Sequence, residues 1–137
     1  MKDVFCRIIA GEIPCTKVYE DDDVIAILDI SQVTKGHVLV MPKEHTESIL
    51  TCEAELLTKV MKVAQRIGQA EVGVLGAQGV NILTNAGEKA GQTVPHFHVH
   101  VIPRYEQNEG GFILEMKQQD TSSIDLPRLA NDINKAM

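Results

Sequence analysis

Histidines at every second position of an apolar run constrain this chain more than any other feature. The stretch PHFHVHVIPR, residues 95–104, contains His96, His98 and His100, each separated from the next by one apolar residue. Successive side chains of a β-strand point to opposite faces. The spacing therefore predicts a strand with three imidazoles on one face and apolar side chains packed into a core on the other.

Apolar periodicity predicts that the rest of the chain is an α+β domain. A short helix is predicted in VFCRIIAGEIP, and a long amphipathic helix begins after Thr51, its predicted N-cap, and ends before a loop that contains Gly73. Strands are predicted in TKVYE, VIAILDI, HVLVMP, VNILTN and HFHVHVIP, and a terminal helix in SSIDLPRLANDINKAM. This order predicts a largely antiparallel sheet of about five strands with one long helix and short terminal helices.

Composition and charge exclude several classes of function. The 137 residues fit a single domain. A net charge of −6 without a run of Lys or Arg argues against binding to a nucleic-acid polymer. No apolar stretch reaches the roughly 18 to 20 residues of a membrane span, no signal peptide is evident, and the three cysteines form no C-x-x-C. We therefore expect a cytoplasmic protein with no membrane partner.

The histidines themselves leave three interpretations open. The other two, His37 and His45, bracket the strand HVLVMPKEH, so all five lie in two short stretches. The row could supply two ligands to a catalytic zinc, with a third from the remaining row member, His37 or His45. It could instead provide an imidazole nucleophile, because neutral imidazole is competent near pH 7. The third interpretation is three buried side chains without chemistry.

The loop before the histidine strand favours a phosphate site. NAGEKAGQTV, residues 85–94, offers the amides of Asn85 and Gln92, the hydroxyl of Thr93 and backbone N–H groups near glycines. Neutral donors of this kind suit the spread negative charge of a phosphoryl group. The loop precedes a strand rather than a helix, so it is not a P-loop.

With the loop and the strand together, GQTVPHFHVHVIPR resembles the signature of the histidine triad (HIT) superfamily, His-φ-His-φ-His-φ-φ with φ apolar. VFCRIIAGEIPCTKVYEDDDVIAILDIS, GHVLVMPKEH and LTNAG extend the resemblance over residues 4–105, and it is greatest for the bacterial Hint/Hit branch. Residues 106–137 then form a branch-specific tail. The resemblance implies a HIT-like α+β fold, a homodimer whose two sheets join, and hydrolysis or transfer of purine nucleotides without a metal in the reaction.

The resemblance also assigns roles to individual residues. His98 would be the nucleophile on the α-phosphate and would form a nucleotidyl-histidine intermediate, while His100 and His37 would contact phosphate or relay the proton. The implied nucleotide-binding residues are Asp29 for the ribose hydroxyls, Asn85, Gln92 and Thr93 for the phosphate, and Phe5, Ile8, Ile27, Leu28 and Ile30 for the base. The expected substrates are nucleoside phosphoramidates or dinucleoside polyphosphates, cleaved at a P–N or P–O bond.

One departure from the family pattern concerns zinc. Some bacterial relatives bind a structural zinc through a Cys-x-x-Cys of the first helix and two histidines. Here Asp3 stands where the first cysteine would be, and Cys6, His45 and His96 complete the candidate ligands. Without zinc, His96 would be a structural residue that supports the row.

The alternative functions are a nucleotide-binding regulatory partner with incidental catalysis and a zinc-dependent hydrolase.

Overall fold

The structure is a computed structural model that describes residues 2–106 and 118–137. Its α-helices are α1 (Val4–Ile9), α2 (Ala54–Leu75) and α3 (Leu126–Ala136), and its strands are β1 (Lys17–Glu20), β2 (Val24–Leu28), β3 (Val38–Pro42), β4 (Gly79–Leu83) and β5 (Val99–Arg104). A short 3-10 helix spans Glu88–Ala90. The strands pair antiparallel in the order β1-β2-β3-β5-β4. The predicted α+β fold with a five-stranded antiparallel sheet is thereby confirmed.

Two of the three interior strands, β2 and β3, are apolar at every position because both faces of the sheet are covered. The sequences VIAIL of β2 and VLVMP of β3 show no polar alternation, as expected for strands buried on both sides. On one face α2 contributes Val60, Val63, Ala64 and Ile67 to a core with Val24, Ala26, Val38 and Val40. On the other face, Phe5 of α1 packs with Ile25, Ile27, Leu39 and Met41. This second face carries the histidines.

The bounds of α2 differ from the prediction at both ends. Glu53, not Thr51, occupies the N-cap position, and the Thr51 hydroxyl donates instead to the Ser48 carbonyl at 3.2 Å in the preceding turn. Gly73 was predicted in a loop but lies inside the helix, which ends at Gly76 in the left-handed conformation, φ 75°. The helix continues to the position where a left-handed residue closes it.

The histidine strand is shorter than predicted. β5 begins at Val99 rather than at His96. Pro42 of β3 has no N–H to donate to a longer ladder. The Phe97 N–H therefore finds its acceptor outside the sheet, at the Thr46 carbonyl, 2.7 Å away.

The predicted alternation of faces holds across this shortened strand. Phe97, Val99 and Val101 are buried in the core beneath α2. His98 and His100 lie on the opposite face, where His98 contacts residues of α1. Phe97 and His98 keep the alternation although they precede the paired part of the strand.

The C-terminal region contains the expected terminal helix, α3, whose Leu126, Leu129 and Ile133 are exposed. The predicted tail, residues 106–137, lies partly outside the described residues, and the division into a core and a tail stays a prediction. Among the helices of the described residues, none combines the length and the apolar character that a membrane crossing requires.

Candidate active site

A cavity of about 500 Å³ lies between α1, the segment that follows it and the histidine-bearing face of the sheet. Its lining brings together most of the side chains that the sequence predicted for a nucleotide site: His98, His100, Asp29, Asn85, Thr93, Phe5, Ile8, Ile27, Leu28 and Ile30. The apolar members come from α1 and the end of β2, and the polar ones surround the histidines. The cavity therefore has an apolar part and a polar part, as a binding site for an organic phosphate requires.

His98 has a defined tautomer. Its Nδ1 lies 2.7 Å from the backbone carbonyl oxygen of His96, which can only accept, so Nδ1 carries the proton and Nε2 keeps a lone pair. Phe5 packs edge-on against the ring, with centroids 5.0 Å apart. Burial lowers the pKa of His98 below its ordinary value, although the hydrogen bond to His96 opposes the shift. His98 is thus a neutral imidazole with an available nucleophilic nitrogen.

His37 and His100 form a directed pair beside it. The Val33 N–H donates to Nδ1 of His37 at 3.3 Å, which leaves the His37 proton on Nε2. That Nε2–H lies 3.0 Å from Nδ1 of His100 and donates to it. His100 consequently carries its own proton on Nε2 and can donate it as a hydrogen bond to a ligand in the cavity.

Both members of this pair are held in the neutral form. Burial, together with the charges that His98 and His37 would carry, lowers the pKa of His100 to about 4. Burial also lowers the pKa of His37, while the carboxylate of Asp29, 3.6 Å from Nε2 of His37, acts in the opposite direction. At neutral pH the three imidazoles are therefore hydrogen-bond partners rather than cations.

Asp29 follows β2 directly and places one carboxylate in the cavity. The Ser31 N–H donates to its Oδ1 at 2.8 Å, and Oδ2 is the oxygen nearest to His37. A carboxylate so placed can accept hydrogen bonds from ligand hydroxyls.

The side chain of Gln92 is hydrogen-bonded within its own loop and to Glu47. Its amide donates to the carbonyls of Glu47, at 2.7 Å, and Val94, at 2.9 Å, and its oxygen accepts from the Gly87 N–H at 2.8 Å. In this arrangement Gln92 fixes the loop that carries Asn85 and Thr93. Its predicted contact with phosphate stays a prediction.

Sequence reasoning missed part of the apolar wall. Ile13, Pro14 and Cys15, in the segment after α1, also line the cavity. Their position directly after a helix assigned to the base pocket is the signal that could have identified them. Ile30, by contrast, lies at the rim and is 99% exposed.

A second cluster joins α1 to the edge of the histidine row. Its atoms are Asp3 Oδ2, Cys6 Sγ, His45 Nδ1 and His96 Nδ1, all within 4.8 Å of one another. Cys6 Sγ lies 3.4 Å from Asp3 Oδ2, 3.5 Å from His45 Nδ1 and 3.6 Å from His96 Nδ1. Ligand atoms of a tetrahedral zinc lie about 3.3 to 3.6 Å apart, as its bond lengths require.

The tautomer of His96 also suits a metal ligand. Its Nε2 lies 2.9 Å from the Pro42 carbonyl oxygen, so Nε2 carries the proton and Nδ1 presents a lone pair to the cluster. The four residues fit zinc in number, spacing and donor type. A bound zinc would supply a cross-link between the start of α1, the segment after β3 that contains His45, and the segment before β5 that contains His96.

The three histidines of the row do not converge on one metal. Within the described residues, each group of potential metal ligands contains only one of them: His96 in the first cluster, and His100 with Asp29 and His37 in another. His98 belongs to neither group. The geometry therefore does not favour a zinc hydrolase that uses the row as its ligand set.

Comparison with known proteins identifies the family. The sequence model described as HIT domain matches residues 10–107. The chain belongs to the HIT family. The HIT family protein named Protein hit, from Bacillus subtilis, is 44% identical over 135 residues, which cover 98% of this chain and 93% of that protein. A crystal structure of a HIT family member from Bacillus subtilis superposes with a TM-score of 0.91 at 44% identity and covers 100% of this chain and 98% of that one.

Three more distant HIT relatives have informative names. An adenosine 5'-monophosphoramidase of Schizosaccharomyces pombe is 36% identical and covers 80% of each chain. An adenylylsulfatase of Arabidopsis thaliana is 39% identical over 77% of this chain and 53% of its own length. A zinc-bound histidine triad family protein of Mycobacterium smegmatis has a TM-score of 0.75 at 36% identity and covers 98% of this chain and 96% of that one. The family thus includes enzymes that act on nucleotides.

The lowered pKa of His100 predicts a pH effect on stability. The unfolded chain protonates this histidine below about pH 6.5, whereas the folded protein resists protonation until about pH 4. Stability from this group is therefore present above pH 6.5 and is lost as the pH falls toward 4. In denaturant unfolding, the free energy of unfolding of the wild type should fall by up to about 3 kcal/mol relative to that of His100→Asn as the pH falls from 6.5 toward 4. A difference that is constant with pH would contradict the shift.

Proposed function

We propose that this HIT protein is a purine nucleotide hydrolase or transferase that cleaves a P–N or P–O bond at the α-phosphate. Nucleoside phosphoramidates and dinucleoside polyphosphates are the two substrate groups. The observation that carries the proposal is the hydrogen bond from His98 Nδ1 to the His96 carbonyl, because it leaves Nε2 as a nucleophile inside a nucleotide-sized cavity. The family's named phosphoramidase and adenylylsulfatase support the same reaction class.

The reaction proceeds in two displacements. Nε2 of His98 attacks the α-phosphorus, a P–N bond to the histidine forms, and the bond to the leaving group breaks as that group takes a proton from solvent. Water then attacks phosphorus, the bond to Nε2 breaks, and the nucleoside monophosphate leaves with the added oxygen, while the proton of that water returns to solvent. No redox partner is required, and no cofactor takes part in either step.

The neighbouring groups have separate tasks in this scheme. His100 donates a hydrogen bond from its Nε2–H to a phosphate oxygen, and the Nε2–H of His37 holds His100 in this tautomer across their 3.0 Å hydrogen bond. Asn85 and Thr93 donate to the phosphate, and Asp29 accepts from the ribose hydroxyls. The apolar wall that includes Phe5 and Ile27 encloses the base.

Replacement of the nucleophile separates catalysis from binding. His98→Ala should abolish turnover of adenosine phosphoramidate and diadenosine polyphosphates, because no other imidazole nitrogen in the cavity has the same free lone pair. AMP binding, measured by calorimetry, should persist. Mass spectrometry of quenched wild type should detect an adenylyl adduct on His98, and the variant should lack it.

Two outcomes would reject this mechanism in different ways. Near-normal turnover by His98→Ala would exclude the nucleophile. A wild-type kcat/KM far below roughly 10⁴ M⁻¹s⁻¹ on every nucleotide tested would favour the alternative, a nucleotide-binding partner with incidental catalysis. Turnover that chelation abolishes and zinc restores would indicate a zinc-dependent hydrolase.

We also propose a structural zinc site at Asp3, Cys6, His45 and His96. The spacing of their donor atoms and the fixed tautomer of His96 support it, and a zinc-bound relative shares the fold. A carboxylate is a poorer zinc ligand than a thiolate. Binding should therefore be weaker than in a site with two cysteines.

The zinc site can be tested by stoichiometry. Protein dialysed against zinc should hold about one zinc ion per chain by elemental analysis. Cys6→Ser should retain much less zinc than the wild type. Asp3→Cys should compete for zinc with a chromophoric chelator better than the wild type does. Cys52→Ser is the matched control, since Cys52 lies outside the cluster. Equal zinc content in Cys6→Ser and Cys52→Ser would contradict the assignment.

The third proposal is a homodimer formed along β4. This strand is an edge of the sheet, and an edge offers unpaired backbone groups to a second copy. Ile82 of β4 and Val72 of α2 are 43% and 49% exposed and line one surface groove with Val80. Pairing of β4 with β4 would join the two sheets and cover these side chains.

A charge on this edge should separate the subunits. Ile82→Lys should sediment as a monomer at micromolar concentration, because a lysine would be buried without a partner in the interface. Val18→Lys, at the opposite edge strand where Val18 is also exposed, should remain dimeric. Monomeric wild type, or equal dissociation of both variants, would rule out the β4 interface.

The cytoplasm is the compartment we propose for this protein, because its three cysteines are free.

A further inference from the structure

The loop between β2 and β3 carries two groups of the site at its opposite ends. Asp29 lies at the start of the loop and His37 at its end, and the Asp29 N–H donates to the His37 carbonyl at 3.0 Å. A second backbone hydrogen bond, from the His37 N–H to the Thr34 carbonyl at 3.2 Å, closes the end of the loop but does not reach residues 30–33. The residues between them must therefore supply the remaining constraints.

Gln32 supplies them with all four hydrogen-bonding positions of its amide. Its Nε2 donates to the carbonyls of Asp29 and His37, the latter at 2.8 Å. Its Oε1 accepts from the N–H groups of Gly36, at 2.8 Å, and His37, at 3.0 Å. The two acceptors and two donors around the amide fix its orientation. A flipped amide would place its NH₂ group against N–H donors and its oxygen against carbonyl oxygens.

The contacts of Gln32 determine where the site groups lie. His37 is held through both its N–H and its carbonyl, and its ring then meets His100 at 3.0 Å and Asp29 at 3.6 Å. Gln32 itself is not part of the cavity lining. A change in its amide would shift both Asp29 and His37 without removing any group that touches a ligand.

We infer that Gln32 is a positioning residue that couples nucleotide binding at Asp29 to the orientation of the hydrogen-bonded pair His37–His100. The inference rests on the proposed hydrolase function for its kinetic consequence. Its consequence for binding is independent of turnover, because Asp29 is expected to hold the ribose whether or not the bond is cleaved.

The surface location of Gln32 makes the role testable. Because its side chain is exposed, truncation opens no cavity in the core. Thr34 is the matched control in the same loop: it is buried, and its hydroxyl donates to the Pro103 carbonyl at 2.6 Å. Thr34→Val should lower the melting temperature more than Gln32→Ala, yet it removes no contact to Asp29 or His37 side chains.

The experiment compares Gln32→Ala, Gln32→Glu and Thr34→Val in turnover of adenosine phosphoramidate and in AMP binding by calorimetry. Gln32→Ala should lower kcat/KM by about tenfold to a hundredfold, through both a lower kcat and a higher KM, since small misplacement of reacting groups has effects of this size. Its AMP affinity should fall at least about fivefold, on the same ground. Thr34→Val should remain within about twofold of wild type in both, because it leaves that geometry in place.

The pH profile of Gln32→Glu gives a signature that a general loss of structure would not produce. A carboxylate cannot donate to the two carbonyls, whereas a protonated carboxyl regains one donor. The ratio of its kcat/KM to that of wild type should rise as the pH falls from 8 toward about 4.5, near the ordinary pKa of glutamate. The same ratio for Gln32→Ala should not change with pH.

The outcomes are distinguishable. Gln32→Ala within twofold of wild type in turnover and AMP affinity, or Thr34→Val with an equal loss, would overturn the positioning role. If wild type hydrolyses no nucleotide, the proposed function fails, and AMP affinity alone decides the role of Gln32. A flat ratio for Gln32→Glu would overturn the hydrogen-bond account of its action.

Discussion

The hydrogen bond from His98 to the backbone carbonyl of His96 determines what the rest of the site can do. It fixes the proton of His98 on Nδ1 and leaves Nε2 with a lone pair. The carbonyl is in turn held because the His96 ring donates to the Pro42 carbonyl across the sheet. A neutral imidazole oriented in this way needs no general base to remove a proton before it attacks. The proposed chemistry therefore depends on backbone geometry rather than on a neighbouring charge.

Low solvent exposure keeps the histidines of the cavity uncharged. The histidines of the row also face two different sites. Burial lowers the pKa of His98 and His100, so both remain uncharged at neutral pH. His96 turns its free nitrogen toward the cluster with Cys6, whereas His100 faces His37. The cluster around His96 and the cavity around His98 thus share one strand, and α1 contributes to both through Cys6 and Phe5.

Much of this architecture was predictable because it depends on local pattern. The histidine spacing predicted an extended segment with Phe97 buried and His98 on the other face, and apolar runs located the five strands. The errors have a common cause. Whether β5 begins at His96 or Val99 depends on its partner, Pro42, and the end of α2 depends on Gly76 rather than on Gly73. These bounds are set by residues outside the segment itself.

The sequence by itself determined the fold class, the two-faced histidine strand and, through resemblance, the family. These follow from side-chain periodicity and motif, both of which a single chain displays. Only the tertiary structure decided which nitrogen of each imidazole is free, that Gln92 holds its own loop, and that Gln32 joins Asp29 to His37. Hydrogen-bond direction depends on atoms brought together from distant strands and loops, and spacing along the chain carries no record of those distances.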